Sequence, residues 1–166
     1  MGEIVQSAGG IIYYIHPDGE PRYLLIKRHA LSGKIEWVAP KGKIQRGETD
    51  KEAAVREAGE EAGIPKEKLL VKHLLGTTSL RSSETKKGHL DKDVTYFLMK
   101  YTGAPDSVSL IEGEGYIGIY KWATITEVLS LMYYQDIREL VRKGHFLIKE
   151  GEKNQNVKED FLKKLG

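Results

Sequence analysis

Residues 42–64 read GKIQRGETDKEAAVREAGEEAGI, and in that stretch Glu57, Glu60 and Glu61 stand at helical spacing behind a glycine-rich loop. Side chains three and four apart on a helix share a face, so these carboxylates point the same way and repel one another unless something compensates. A hard cation is the simplest compensator. Mg²⁺ takes carboxylate and water oxygens in near-octahedral geometry and usually completes its shell with substrate phosphates. Lys41, Lys43 and Arg56 stand beside the carboxylates and match such phosphates in charge. The chemistry these residue types predict is metal-assisted attack on a phosphoanhydride. A glutamate pair alone is more often a solvated helix face laced with Lys and Arg. Here the loop, the arginine and the glycines fall in register with the pair, which favours the site over the solvated face.

The elements that must hold this comb are legible nearby. Thr49 with Glu52 three residues later forms a capping box, Ala53, Ala54, Ala58 and Ala62 give a face small enough to approach a sheet closely, and Gly63 ends the helix. Gly59 lowers the propensity of that helix by about 1 kcal/mol relative to alanine, which packing must offset. Upstream, residues 8–15 and 23–27 are apolar strands joined through His16-Pro17-Asp18-Gly19, a hairpin with Asp-Gly at its turn. Further strands are expected over 69–75, 94–101 and 116–122. Residues 126–143 have apolar spacing suited to one or two helices, with Gly144 as the stop. The lysine-rich tail 149–166 is expected to follow a linker over 151–156 and to dock as a short helix through Val157, Phe161 and Leu165. This organisation predicts one domain over 1–148 and a separate polar tail. Strands interleaved with helices predict an α/β or α+β layered fold, with the glutamate helix against a mixed sheet.

Composition removes several classes. Lys plus Arg at 26 against Asp plus Glu at 24 leaves only +2, without the basic field that holds duplex nucleic acid. With no cysteine there is no disulfide framework, thiolate nucleophile or zinc-thiolate site. The first residues lack a basic segment with a cleavage site, and no run approaches the roughly 20 apolar residues of a membrane span. The expectation is a soluble, cytoplasmic protein acting on a small molecule, its oligomeric state open.

The stretch 42–64 is similar to the Nudix box, in which Gly, Glu, Arg-Glu, Glu-Glu, Gly and an apolar residue stand at fixed intervals. Gly42, Glu48, Arg56, Glu57, Glu60, Glu61, Gly63 and Ile64 fill every fixed position, and Ala58 occupies the apolar slot. The resemblance implies an α/β/α sandwich with a mixed sheet and a loop-helix-loop catalytic motif, shaped by Gly42 and Gly63. It implies Mg²⁺, with Mn²⁺ as a substitute, held mainly by Glu57 and Glu61, with Glu60 as a further ligand and the Lys41 carbonyl as a possible addition. It also implies an ion pair between Arg56 and Glu48 that orients the loop. The general base is one of these glutamates or one on a later loop. Glu114, ahead of the last strand and preferred to Glu112, is a candidate extra metal ligand or base, its alternative a polar glycine-rich turn; Glu84 is a weaker candidate.

Substrate class rests on finer likenesses spread over residues 7–122. The run EWVAPKGKI at 36–44 resembles the Trp, two residues, Pro-Lys-Gly form of dinucleoside polyphosphate and diphosphoinositol polyphosphate hydrolases, where the mutator-type branch more often has glycine at Lys41. The strand with Lys92 and Tyr96 looks like that of diadenosine tetraphosphate hydrolases, where a lysine contacts phosphate and an aromatic stacks on a base. Alternation also puts Tyr96 on one face with Val94 and Leu98, where it would be core. Trp37 either packs under the loop or lines the pocket, and Lys86, Lys87 and His89 form a basic loop that either reaches distal phosphates or is solvated. Expected substrate contacts are Lys41, Lys43, Lys92 and Tyr96. The expected reaction is Mg²⁺-dependent hydrolysis of a nucleoside diphosphate linked to another moiety, foremost a dinucleoside polyphosphate such as diadenosine tetraphosphate. The alternatives are a diphosphoinositol polyphosphate or RNA 5′-end pyrophosphohydrolase and, from another class, a Nudix module that senses a nucleotide without cleaving it.

Overall fold

Strand β1 (Ile4–Ile15) is buried from Ser7 to Tyr13 without interruption, as a strand covered on both faces must be. The computed structural model describes residues 4–29, 33–81, 91–110 and 116–165; Glu84, Lys86, Lys87, His89, Glu112 and Glu114 lie outside them. β2 (Pro21–His29) returns antiparallel to β1 with Tyr13 opposite Tyr23, through a turn in which Gly19 takes φ 87°. One edge of β1 pairs in parallel with β6 (Asp91–Tyr101) over Ile4 to Tyr13. The other edge is divided: β2 takes Tyr13 to Ile15, and the short β4 (Lys41–Lys43) takes Ser7 to Gly9. The sheet therefore forks beside Gly10, whose N–H donates to the Pro40 carbonyl at 3.0 Å. β3 (Ile35–Val38) and β7 (Tyr116–Ala123) pair with β2, and β5 (Leu69–Leu80) forms the far edge on β6, giving a mixed seven-stranded sheet.

Helices cover both faces. Helix α1 (Asp50–Ala62) lays Ala53, Ala54, Ala58 and Ala62, all fully buried, against Ala8, Ile12 and Met99. Alanine brings the helix backbone close to the sheet, and so brings its polar side chains within reach of β4. On the opposite face α2 (Ile125–Leu131) and α3 (Gln135–Leu165) bury Val128, Val141 and Ile148 over Ile11, Leu75 and Leu98. The result is an α/β/α sandwich. β6 shows the alternation expected of a strand between two cores: Phe97 and Met99 face α1, while Val94, Tyr96 and Leu98 face α2 and α3.

Several elements differ from their sequence readings. β5 and β6 extend by several polar residues because cross-strand hydrogen bonds replace apolar alternation there: Thr77 to Thr95 at 3.0 Å and Ser79 to Asp93 at 2.8 Å. The segment after β7 forms two helices, within the one or two its spacing allows, α2 opening on a Thr124 and Glu127 capping box. Gly144 does not stop α3, which continues for 31 residues to Leu165. Gly144 is instead buried where α3 crosses the sheet, and a Cβ there would stand 3.1 Å from Leu98 Cδ1. The expected linker over 151–156 is helical, its Lys, Glu and Gln residues being good helix formers. Val157, Phe161 and Leu165 are exposed, so the tail extends as helix with no docking face turned to the body of the chain. No helix among the described residues is long and apolar enough to cross a membrane.

Candidate active site

Helix α1 is fixed at both ends. Thr49 Oγ1 accepts the Glu52 N–H while Glu52 Oε1 accepts the Thr49 N–H, each at 3.1 Å, and Gly63 closes the helix in the left-handed region at φ 62°. One turn apart, Glu57 and Glu61 face β4. A Cβ on Gly42 would lie 2.1 Å from the carboxyl carbon of Glu57, so only glycine lets that carboxylate rest on the strand. Glu61, 5 % exposed, accepts the Lys41 N–H at Oε2 over 3.0 Å. Glu60 stands apart, its side chain 60 % exposed. The structure thus brings two of the three glutamates onto the strand and leaves the third at the surface.

Arg56 ties these groups together. Its Nε and Nη2 donate to the two oxygens of Glu48 at 2.6 and 2.9 Å, a bidentate pair, and Nη2 also donates to the Lys43 carbonyl at 3.0 Å. Its Nη1 donates to Glu57 at 2.8 Å and Glu60 at 3.3 Å. The Arg56 guanidinium, with the Gln45 N–H, holds the Glu48 carboxyl below its usual range, and Glu48 in turn makes Arg56 still harder to deprotonate.

Three carboxylates share this one guanidinium and, with Glu61 beside them, offer only hard oxygen donors, the set that Mg²⁺ or Mn²⁺ takes. Among the described residues no three acidic, imidazole or thiol groups converge closely enough to hold an ion as they stand. Glu57 and Glu60 are drawn to Arg56 and Glu61 to an amide. The donor chemistry fits a hard cation at Glu57 and Glu61, and Glu60 joins them only by leaving Arg56.

Beyond β4 lies a cavity of about 310 Å³, lined by Arg28, Trp37, Lys41, Lys92, Tyr96, Tyr133 and Tyr134 among others. Burial, then the neighbouring Lys92 and Arg28, push the Lys41 ammonium down to about 8, against the opposing pull of Glu61 and Glu36. Tyr96 is a floor residue, 3 % exposed, with its hydroxyl pushed well above its ordinary range by burial. Trp37 lines the cavity, with the Lys27 ammonium 5.5 Å from its ring centre. Lys43 does not line the cavity; its side chain is exposed and only its carbonyl meets the site, through Arg56. Tyr133 and Tyr134, in the turn between α2 and α3, meet edge to face with centroids 5.1 Å apart and are 70 % and 50 % exposed. Those two tyrosines and Arg28 escaped the sequence reading. Adjacent aromatics cannot share one helix face, which is the signal that they leave the helical pattern.

Comparison with known proteins agrees with this fold. The family model described as NUDIX domain matches residues 6–144. A bis(5'-nucleosyl)-tetraphosphatase (asymmetrical) of Caenorhabditis elegans is 30% identical over 140 residues, covering 84% of this chain and 94% of that protein. The rat protein of the same description is 28% identical over 123 residues, covering 74% of this chain and 78% of its own. The crystal structure of a C. elegans Ap4A hydrolase binary complex superposes with a TM-score of 0.71 at 29% identity, covering 89% of this chain and 99% of that one.

Proposed function

Because this chain belongs to the Nudix family and is a pyrophosphohydrolase of it, we propose that it hydrolyses dinucleoside polyphosphates such as diadenosine tetraphosphate, with Mg²⁺ or Mn²⁺ as its ion. The observation that carries this is the meeting of two environments across Lys41. Its N–H is held by Glu61 on the carboxylate side, and its side chain lines a cavity that is both aromatic and basic. Relatives that carry the tetraphosphatase name support the same substrate class.

Lys41 and Lys92 bind the phosphate chain, and Trp37, Tyr133 and Tyr134 offer ring faces to a base, a contact worth about 1 to 3 kcal/mol. Tyr96 supports the floor beneath them. A divalent ion on Glu57 and Glu61, with Glu60, would neutralise phosphate oxygens and lower the pKa of a bound water. Arg56 fixes the carboxylates for that role and orients the loop through Glu48. One of the glutamates takes the water's proton, and the sharing of Arg56 among Glu48, Glu57 and Glu60 does not single one out.

The test is incubation with diadenosine tetraphosphate, ATP, ADP-ribose and a diphosphoinositol polyphosphate in ¹⁸O-labelled water, with Mg²⁺ and with EDTA. Asymmetric cleavage of the dinucleotide in preference to the others, abolished by EDTA, is the expected result. Preference for any other member of the panel would reject the substrate assignment.

A further inference from the structure

Three cations line the cavity, and each stands on a different strand: Arg28 on β2, Lys41 on β4 and Lys92 on β6. β4 and β6 flank β1 on opposite edges, so their backbones lie about 10 Å apart. Arg28 approaches from the far side of the fork, directly opposite Glu36 in the β2 and β3 register. Lys41 shares the cavity lining with both others, on the strand that pairs with β1 across from β6. It is also the member beside the carboxylates, through the Glu61 contact with its N–H.

Grouping three cations around one cavity is unfavourable unless an anion spans them. Lining carboxylates Glu36 and Asp136 offset two of the three charges. Glu36, as the cross-strand neighbour of Arg28, shares its face of the sheet and can hold the guanidinium to that face while also acting on Lys41. The arrangement is one cation next to the carboxylates and one on each flank. A phosphorus attacked at Lys41 then has further phosphates on both sides only if the chain is long.

We propose that Arg28 is a specificity-determining residue that grips a phosphate beyond the one held at Lys41, so that the enzyme favours longer phosphate chains over shorter ones. This rests on the polyphosphate reading above and goes beyond it by naming the group that measures length. Arg suits the role because its planar fork takes a phosphate bidentately, which a lysine cannot do.

Parent, Arg28→Gln and Arg28→Lys are titrated calorimetrically in EDTA with inorganic phosphate, pyrophosphate and tripolyphosphate, so that no turnover intervenes. In the parent, affinity rises with each added phosphate. Arg28→Gln should lose roughly tenfold or more on tripolyphosphate and little on orthophosphate, with partial recovery in Arg28→Lys. Should Arg28→Gln fail to fold, Arg28→Lys decides, with a smaller loss in the same order of ligands. An equal loss on all three ligands, no loss, or no binding by the parent overturns the proposal. In parallel, kcat/KM is compared for diadenosine tetraphosphate and triphosphate in the presence of Mg²⁺. A parent that cleaves neither dinucleotide yet binds tripolyphosphate through Arg28 sinks the substrate reading and leaves this one standing. Cleavage with an unchanged length preference in Arg28→Gln does the reverse.

Discussion

Strand β4 separates two regions built on opposite plans. On the α1 side the polar groups all come from residues 42–64 and are cross-linked through Arg56, which touches Glu48, Glu57, Glu60 and a carbonyl. On the cavity side Arg28, Trp37, Lys41, Lys92 and the tyrosine pair come from four separate strands and a turn. The first plan suits bond breaking, which needs carboxylates held to a fraction of an ångström by their neighbours. The second suits selection, where ring faces and long cations adapt to the ligand. If the division is real, substitutions on the α1 side change kcat and substitutions in the cavity change KM.

The sharpest test is Glu61→Gln. The amide can still accept the Lys41 N–H, so the fold is retained while a charge facing the expected ion is lost. A loss of several kcal/mol of transition-state stabilisation lowers kcat by roughly two to four orders of magnitude. Thermal unfolding should stay close to that of the parent. A variant that turns over normally with a raised KM would erase the distinction between the two sides.

Next in size is Arg56→Lys. An ammonium is a point charge and cannot fork between Glu48, Glu57 and Glu60 as the guanidinium does. Loss of such a support typically lowers activity roughly 10- to 100-fold. Steady-state kinetics should place that loss in kcat and in the Mg²⁺ concentration needed for half activity, with KM for the nucleotide little changed. A loss confined to KM would move Arg56 to the substrate side.

The cavity side is tested by Tyr134→Ala. Tyr134 is half exposed, so truncation removes a ring face without opening the core. Loss of one stacking contact of about 1 to 3 kcal/mol raises KM between roughly 5- and 150-fold at unchanged kcat. Fluorescence titration with a non-hydrolysable dinucleotide should show the same weakening. An equal fall in kcat would mean that the turn between α2 and α3 takes part in chemistry.

The two regions were unequally legible in the sequence for the same reason. Helix α1 could be read with both ends because its cap, its alanine face and its stop are local features: Thr49, Glu52 and Gly63 act on neighbours within one turn. The exception is Glu60, which helical spacing places with Glu57 and Glu61; an i,i+4 pairing with Arg56 on the same helix, together with solvent, draws it away. The cavity is legible only in part: Lys41, Lys92, Tyr96 and Trp37 are reached through resemblance, whereas Arg28 and the tyrosine pair join them only through the fork of β1, and pairing of β1 with both β2 and β4 leaves no mark on spacing. Gly144 shows the converse error. Glycine near the end of a helical pattern reads as a stop, and only the approach of Leu98 reveals it as a packing residue inside α3. Alternation puts Tyr96 in the core and resemblance makes it a ligand; its burial places it in the core at the cavity floor.

The smallest expected effect lies where the two regions touch, at Lys41, and it is read through pH. With its ammonium held at about 8, Lys41 is charged in the free enzyme below that pH and increasingly neutral above it. kcat/KM, which reports the free enzyme, should therefore fall as pH rises through about 8, by about tenfold per unit at most and only a few-fold between pH 8 and 8.5. Lys41→Arg stays charged throughout and should flatten the profile. Stability moves the other way. Lys41 is harder to protonate in the folded chain than at its ordinary 10.5, so below about 8 both states carry the proton and the folded state bears the full burden of burial and of repulsion from Lys92 and Arg28. Between about 8 and 10.5 the unfolded chain still binds the proton and the folded chain does not, so stability rises with pH across that window. Lys41→Met, which has no proton to lose, should be more stable than the parent below pH 8 and lose that advantage towards pH 10. Melting curves of the two proteins that run parallel across the window would show that neither burial nor the two neighbouring cations depress the Lys41 ammonium.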